Sequence, residues 1–118
     1  MRRLARMLLF GALLCSAPAH AQQDTVDLHL ESITVEDGLP QGLVLAMAQD
    51  STGYLWFGTK DGLARYDGYT FKVFRHNEQD TSSIGGDHIT SLLVDRTGNL
   101  WVGFAPFGLD RYDPRTGR

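Results

Sequence analysis

From Leu43 onward the chain alternates short apolar runs with clusters of glycine, aspartate, serine and threonine. Residues 43–49 read as an apolar strand, followed by the turn Asp50-Ser51-Thr52-Gly53. Aspartate suits such a turn because its carboxylate bonds nearby backbone N–H groups, and glycine because it accepts a positive φ. Residues 54–59 read as a second strand, Lys60-Asp61-Gly62 as a hairpin turn, and 63–66 as a third strand. Asp67-Gly68 turns again, and residues 69–75 alternate apolar and polar positions as a fourth strand. Gly53, Gly58, Gly62 and Gly68 leave no stretch long enough for a helix. Residues 76–86 are polar and read as a connecting loop, after which the pattern starts again at 89–94, 100–104 and 109–112. Ahead of it all, residues 30–35 predict a lone strand that Asp37-Gly38-Leu39-Pro40 joins to the rest.

The second set of strands copies the first. Asp50, Gly53, Leu55, Trp56 and Gly58 recur as Asp95, Gly98, Leu100, Trp101 and Gly103, at a constant offset of 45. Gly62-Leu63, then Arg65-Tyr66-Asp67, recur as Gly108-Leu109 and Arg111-Tyr112-Asp113 at an offset of 46, so one residue is inserted between Gly103 and Gly108. Four short antiparallel strands in a repeat of this length make the blade of a β-propeller. The expected fold is therefore all-β: a partial β-propeller of about two four-stranded antiparallel blades, behind a cleaved signal peptide. Residues 1–21 would be the signal peptide, 22–42 a leading strand and linker, 43–86 the first blade with its connecting loop, and 87–118 a second blade that lacks its last strand. Because the sequence breaks off within a blade, it is expected to be the N-terminal part of a longer product.

The N-terminus changes the picture of location. Arg2, Arg3 and Arg6 precede a short apolar core at residues 7–14, and Ala19-His20-Ala21 is a small-x-small cleavage site. The apolar run is well short of the roughly 20 residues that span a bilayer. Cys15 is the one cysteine and lies inside this segment, with Leu14 where a lipidation signal needs a small residue. Cleavage would remove it, leaving no disulfide, thiol catalysis or thiolate metal site. It would also remove three arginines, leaving eight basic against fourteen acidic side chains, a net charge of −6. Such a charge argues against nucleic acid and against an anionic membrane surface as partners.

Each candidate for chemistry has a structural reading that fits better. Trp56 and Trp101 could stack a sugar, but their recurrence within apolar strands favours packing between neighbouring blades, worth roughly 4–6 kcal/mol each as an upper bound. Gly58 and Gly103 interrupt strands, where glycine marks a bulge or a close backbone approach. Asp50 and Asp95 stand one per turn, whereas a calcium loop needs several carboxylates at alternate positions. His29, His76 and His88 have no zinc-like spacing, and Ser82, Ser83 and Asp87 lie near His88 outside any nucleophile motif. Gly85-Gly86-Asp87 begins like a cyclase signature, but His88-Ile89 departs from it. No catalytic, cofactor-binding or metal-binding residue is assigned. The structural repeat positions are Asp50, Gly53, Trp56, Gly58 and Gly62, with Asp95, Gly98, Trp101, Gly103 and Gly108.

The repeated pattern Asp-x-x-Gly-x-Leu-Trp-x-Gly, continued by Gly-Leu-x-Arg-Tyr-Asp, resembles the two-component regulator propeller repeat. The opening Ile33-Thr34-Val35-Glu36-Asp37-Gly38-Leu39-Pro40 and the later Asp67-Gly68-Tyr69-Thr70-Phe71 resemble the start of such sensor regions, so the likeness runs over residues 30–118. The second repeat departs at Phe104, where threonine is expected, and at the inserted Ala105-Pro106-Phe107. The resemblance implies the periplasmic sensory region of a membrane-anchored signalling protein, most often a histidine kinase and otherwise a diguanylate cyclase. It implies as partners the remaining blades, the downstream signalling domains and an unknown small-molecule or saccharide ligand, and it leaves room for a dimer of the whole protein. Two readings compete with it: a periplasmic propeller enzyme, and a scaffold propeller that only holds partners.

Overall fold

The computed structural model describes residues 26–118, so the expected signal segment and Cys15 lie outside the described residues. Seven strands follow one another: β1 (Val44–Gln49), β2 (Leu55–Thr59), β3 (Gly62–Tyr66), β4 (Phe71–Phe74), β5 (Ile89–Val94), β6 (Leu100–Phe104) and β7 (Gly108–Tyr112). They form two antiparallel meanders, a four-stranded sheet in the order β1-β2-β3-β4 and a three-stranded sheet in the order β5-β6-β7. The described residues are thus all-β blades of a propeller, with strand ends within one residue of those read from the alternation. The exception is β4, whose ladder begins at Phe71. Asp67 Oδ1 accepts from the N–H groups of both Tyr69 and Thr70 at 2.8 Å, which holds those residues in the turn.

The two sheets are copies down to their irregularities. The β1–β2 register slips between Val44 and Ala46, and the β5–β6 register slips between Ile89 and Ser91. Each slip is a bulge one residue into the first strand of its blade. The turns differ at one place. Thr59 pairs with Gly62 across the two-residue turn Lys60-Asp61, and its hydroxyl donates to Gly62 O at 2.9 Å. In the second sheet Phe104 pairs with Gly108 across Ala105-Pro106-Phe107. Gly62 has a φ of +118°, whereas Gly108 does not need the left-handed region. The Phe104 ring instead lies on backbone: a β-carbon on Gly85 or Gly86 would come within 2.6 Å of it.

The strand expected over residues 30–35 is not formed. Residues 26–34 carry no regular structure, and a 3-10 turn occupies Val35–Asp37. The turn consumes the backbone groups that a strand would offer a neighbour. Thr34 O accepts from Asp37 N at 3.1 Å, and Val35 O accepts from Gly38 N at 3.2 Å. Thr34 N donates to Asp37 Oδ2 at 2.7 Å, and Glu36 N donates to Thr34 Oγ1, closing a capping box. Local bonding of this kind wins wherever no sheet edge is at hand.

Alternation along the strands gives each sheet two faces. On the first sheet, Trp56 and Leu63 look toward the second sheet and join Ile89, Leu100 and Val102 in one buried cluster. The opposite face of the first sheet carries Phe57 and Ala64, which are covered by Leu39. Leu39 stands 45 residues before Ile84, and Ile84 packs on the cluster between the sheets. The repeat therefore begins upstream of the first strand, at the apolar residue that leads into each blade.

Candidate functional site: the face between the two blades

The position of Trp56 follows from the turn before its strand. Asp50 Oδ1 accepts from Thr52 N and Tyr54 N, both at 3.0 Å, and so closes the turn. Its other oxygen, Oδ2, accepts from the Trp56 indole Nε1 at 2.9 Å. The second blade repeats the device: Asp95 Oδ1 accepts from Thr97 N and Asn99 N, and Oδ2 accepts from Trp101 Nε1 at 2.8 Å. The indole bond, followed by that from the Thr97 hydroxyl, holds the Asp95 carboxyl far below the ordinary carboxylate value. Each aspartate thus has two jobs, of which the turn alone was legible from composition. The second was missed, although the acid-to-tryptophan spacing of six residues, kept in both repeats, was the signal that could have found it.

Held this way, the Trp56 ring is 1% exposed and lies between the sheets. Its centroid is 5.6 Å from that of Phe74 on the same blade and 5.2 Å from that of Tyr112 on the next. Arg65 lies over it at 5.7 Å and over Tyr54 at 4.6 Å, capping the aromatic stack from the solvent side. Trp101 is only half-buried. Gly58 lies against the second sheet: a β-carbon there would sit 2.5 Å from Ile89 Cγ2. Gly103 holds the same place in its own sheet, and there the neighbour is Ser91. Gly53 and Gly98 take positive φ values of 99° and 87° at the ends of the two aspartate turns. Gly108 lies under the Phe104 ring.

The connecting loop ties the blades at one end. Gly62 N donates to Asp87 O at 2.8 Å, and Ala105 N donates to His88 O at 2.9 Å. Asp87 Oδ1 accepts from His76 N at 2.7 Å, and Gly85 N donates to Asp110 Oδ2 at 2.6 Å. His76 and His88 therefore serve the loop rather than each other. Arg75 donates to the Asp61 carbonyl at 3.1 Å and pairs with its carboxylate at 3.3 Å. Between loop and sheets lies a cleft of about 400 Å³, floored by Trp56, Phe74, Val102 and Tyr112 and rimmed by Ser82, Ser83 and Asp110. Among the described residues no three His, Cys, Asp or Glu side chains gather as metal ligands, and no helix is long and apolar enough to cross a membrane.

Repeated meanders packed face to face through a carboxylate-anchored indole define a β-propeller blade pair. The model of the two-component regulator propeller matches residues 38–61 and 83–105, one match on each repeat. A stretch of 54 residues, 46% of this chain, is 50% identical to Histidine kinase P4 of Formosa agariphila. Among solved structures, the extracellular domain of the hybrid two-component system BT3049 from B. thetaiotaomicron aligns over 74% of the chain, with a TM-score of 0.70 and 32% identity. The extracellular domain of BT4673 from the same organism aligns over 58%, with a TM-score of 0.54 and 26% identity. The chain spans 4% of the kinase and 12% and 9% of the two extracellular domains.

Proposed function

We propose that this chain is part of the sensory propeller of a transmembrane signalling protein of the two-component histidine kinase type, exported to the periplasm and anchored through its parent in the inner membrane. One observation carries the reading: both blades bear the two-component regulator repeat, and the fold matches the extracellular domains of hybrid two-component systems. The expected signal at residues 1–21 and the acidic mature composition support export. The chain itself performs no chemistry in this reading. Its carboxylate-anchored indoles make a stiff scaffold, and a small molecule or saccharide bound to the assembled propeller biases the parent between two arrangements of its membrane and cytoplasmic parts. The test is a transcriptional response to candidate saccharides in cells that carry the full-length gene. Deleting residues 22–118 should abolish the response while leaving kinase autophosphorylation in isolated membranes intact. An unchanged response after deletion would place sensing elsewhere.

A further inference from the structure

The two blades part company at the turn between their second and third strands. The first blade closes it with Lys60-Asp61, above a Thr59 that is wholly buried and bonded to Gly62 O. The second closes it with Ala105-Pro106-Phe107. Phe104, which holds the place of Thr59, packs against the cluster between the sheets, whereas Phe107 at the tip is 93% exposed. The core takes the first phenylalanine and leaves the second outside.

The surroundings have changed to suit the altered turn. Pro40 and Gln41 lead into the first blade, and Gly85 and Gly86 stand 45 residues on, at the same place in the second. A β-carbon on either glycine, or on Gly108, would collide with the Phe104 ring. Ala105 N donates to His88 O at 2.9 Å, so the near end of the turn is bonded to the chain that enters the blade. Proline follows, with its φ fixed by the ring. Phe107 is thus mounted on a stiff base, and a stiff aromatic ring gives up little freedom when a ligand settles on it.

A neighbouring blade leaves such a turn free. The second blade already lies against the first, and Lys60 and Asp61 stay exposed, because the blades meet through the faces of their sheets and the turns project from the strand ends. The same kind of contact on the far side of the second blade leaves Phe107 in solvent. The two turns flank one short segment: Gly62 N donates to Asp87 O at 2.8 Å, and Ala105 is bonded to His88 beside it. One end of the blade pair therefore carries an apolar ring at one turn and, at the other, the Lys60 ammonium next to the Asp61 carboxylate, which pairs with Arg75. Packed sheets lie about 10 Å apart, so a ligand that touches both tips is longer than a single ring.

We propose that Phe107 is a ligand-contacting residue of the sensory propeller. A neutral oligosaccharide lies across this end of the blades, with the C–H face of one pyranose stacked on the Phe107 ring and hydroxyls of another bonded by Lys60 and Asp61. Hydroxyls donate and accept at once, which suits a tip that offers an ammonium and a carboxylate side by side. The inference rests on the sensory reading and adds which residues touch the ligand and what the ligand is.

The test uses the full-length protein in cells with a transcriptional reporter and a panel of neutral oligosaccharides: cellohexaose, maltohexaose, xylohexaose and mannohexaose. Phe107→Ala should raise the concentration for half-maximal response by about tenfold or more. Phe107→Leu, apolar but not flat, should fall between, and Phe107→Trp should respond like the unaltered protein. Protease resistance of the propeller in isolated membranes should be the same in all four. Loss of that resistance in Phe107→Ala would mean that the ring packs against another part of the protein, and would overturn the proposal. A Phe107→Leu response equal to the unaltered one would do the same, since ring stacking would then count for nothing. A response that needs residues 22–118, yet stays at the same concentration in Phe107→Ala, sinks this proposal and leaves the sensory reading standing. Silence of the unaltered protein toward the whole panel also sinks it, and leaves sensing of another small molecule in place.

Discussion

At the scale of the residue, the aspartate of each turn decides where a tryptophan points. Asp50 is 7% exposed and holds the indole N–H of a residue that is 1% exposed, so Asp50→Ala leaves a buried donor without a partner. The expected cost is about 1–3 kcal/mol, with more from the two turn bonds, read as a lower urea midpoint. Asp50→Asn should fall between the two, since an amide keeps one acceptor for the turn and loses the second for the indole. Asp95 adds a dependence on pH. Its folded carboxyl is held well below its ordinary value of 3.8, chiefly by the Trp101 indole and then by the Thr97 hydroxyl. The unfolded chain therefore takes up the proton first as the pH drops. The contribution of Asp95 is complete above that ordinary value and is lost progressively below it, toward the folded value. Unfolding midpoints measured between about pH 6 and about pH 3 should fall, and Asp95→Asn should flatten part of that fall. A variant with the unaltered pH profile would show that the Trp101 bond contributes nothing in solution.

At the scale of the element, most of the architecture was legible in the alternation and the turns, because a meander is a local structure. β5 and β6 begin and end where the pattern placed them, since each is bounded by residues with strong turn chemistry, such as Asp95 and Gly98. That the strand expected at residues 30–35 would fail to form was not legible, because an apolar pattern reports the capacity to pair and says nothing about a partner. The Thr34–Asp37 capping box supplied the local alternative. The role of Gly58 was half legible. Glycine within a strand announced a close approach, but only the packing shows that Ile89 of the neighbouring blade makes it. Gly58→Ala should therefore act as a wedge between the blades and cost about 1–3 kcal/mol. Ile89→Ala in the same chain should return part of that loss, and a double-mutant cycle would show coupling of about 0.5 kcal/mol or more. Strict additivity would mean that the sheets separate there without consequence.

At the scale of the whole molecule, a shared apolar cluster and the hydrogen-bonded connecting loop join two meanders. Trp56 is the cluster's largest fully buried side chain. Trp56→Ala should cost about 3–5 kcal/mol, a large part of the total stability of a unit this small. The near-ultraviolet circular dichroism of such a variant should lose its aromatic signal, while hairpin content in the far ultraviolet declines less. Simultaneous loss of both signals would show that neither meander outlives the contact. Two blades were announced by the offset of 45, yet nothing in the pattern told which side of a blade faces which. Alternation names two faces and leaves both equivalent until a neighbour is present.

The anchored indole has a consequence for how information could move along a row of such blades. One edge of the Trp56 ring is tied to a turn in its own blade, and its flat side is the seat of the next blade through Tyr112. A disturbance that frees the turn therefore loosens the seat, and a disturbance that lifts the neighbour frees the turn. Trp56 is a pin shared by a local event and an adjacent one, so blades joined in series by such pins would pass order or disorder on as dominoes do, each step set by the one before it. The signal would be carried by how many pins are seated, and no part of the backbone would need to travel far.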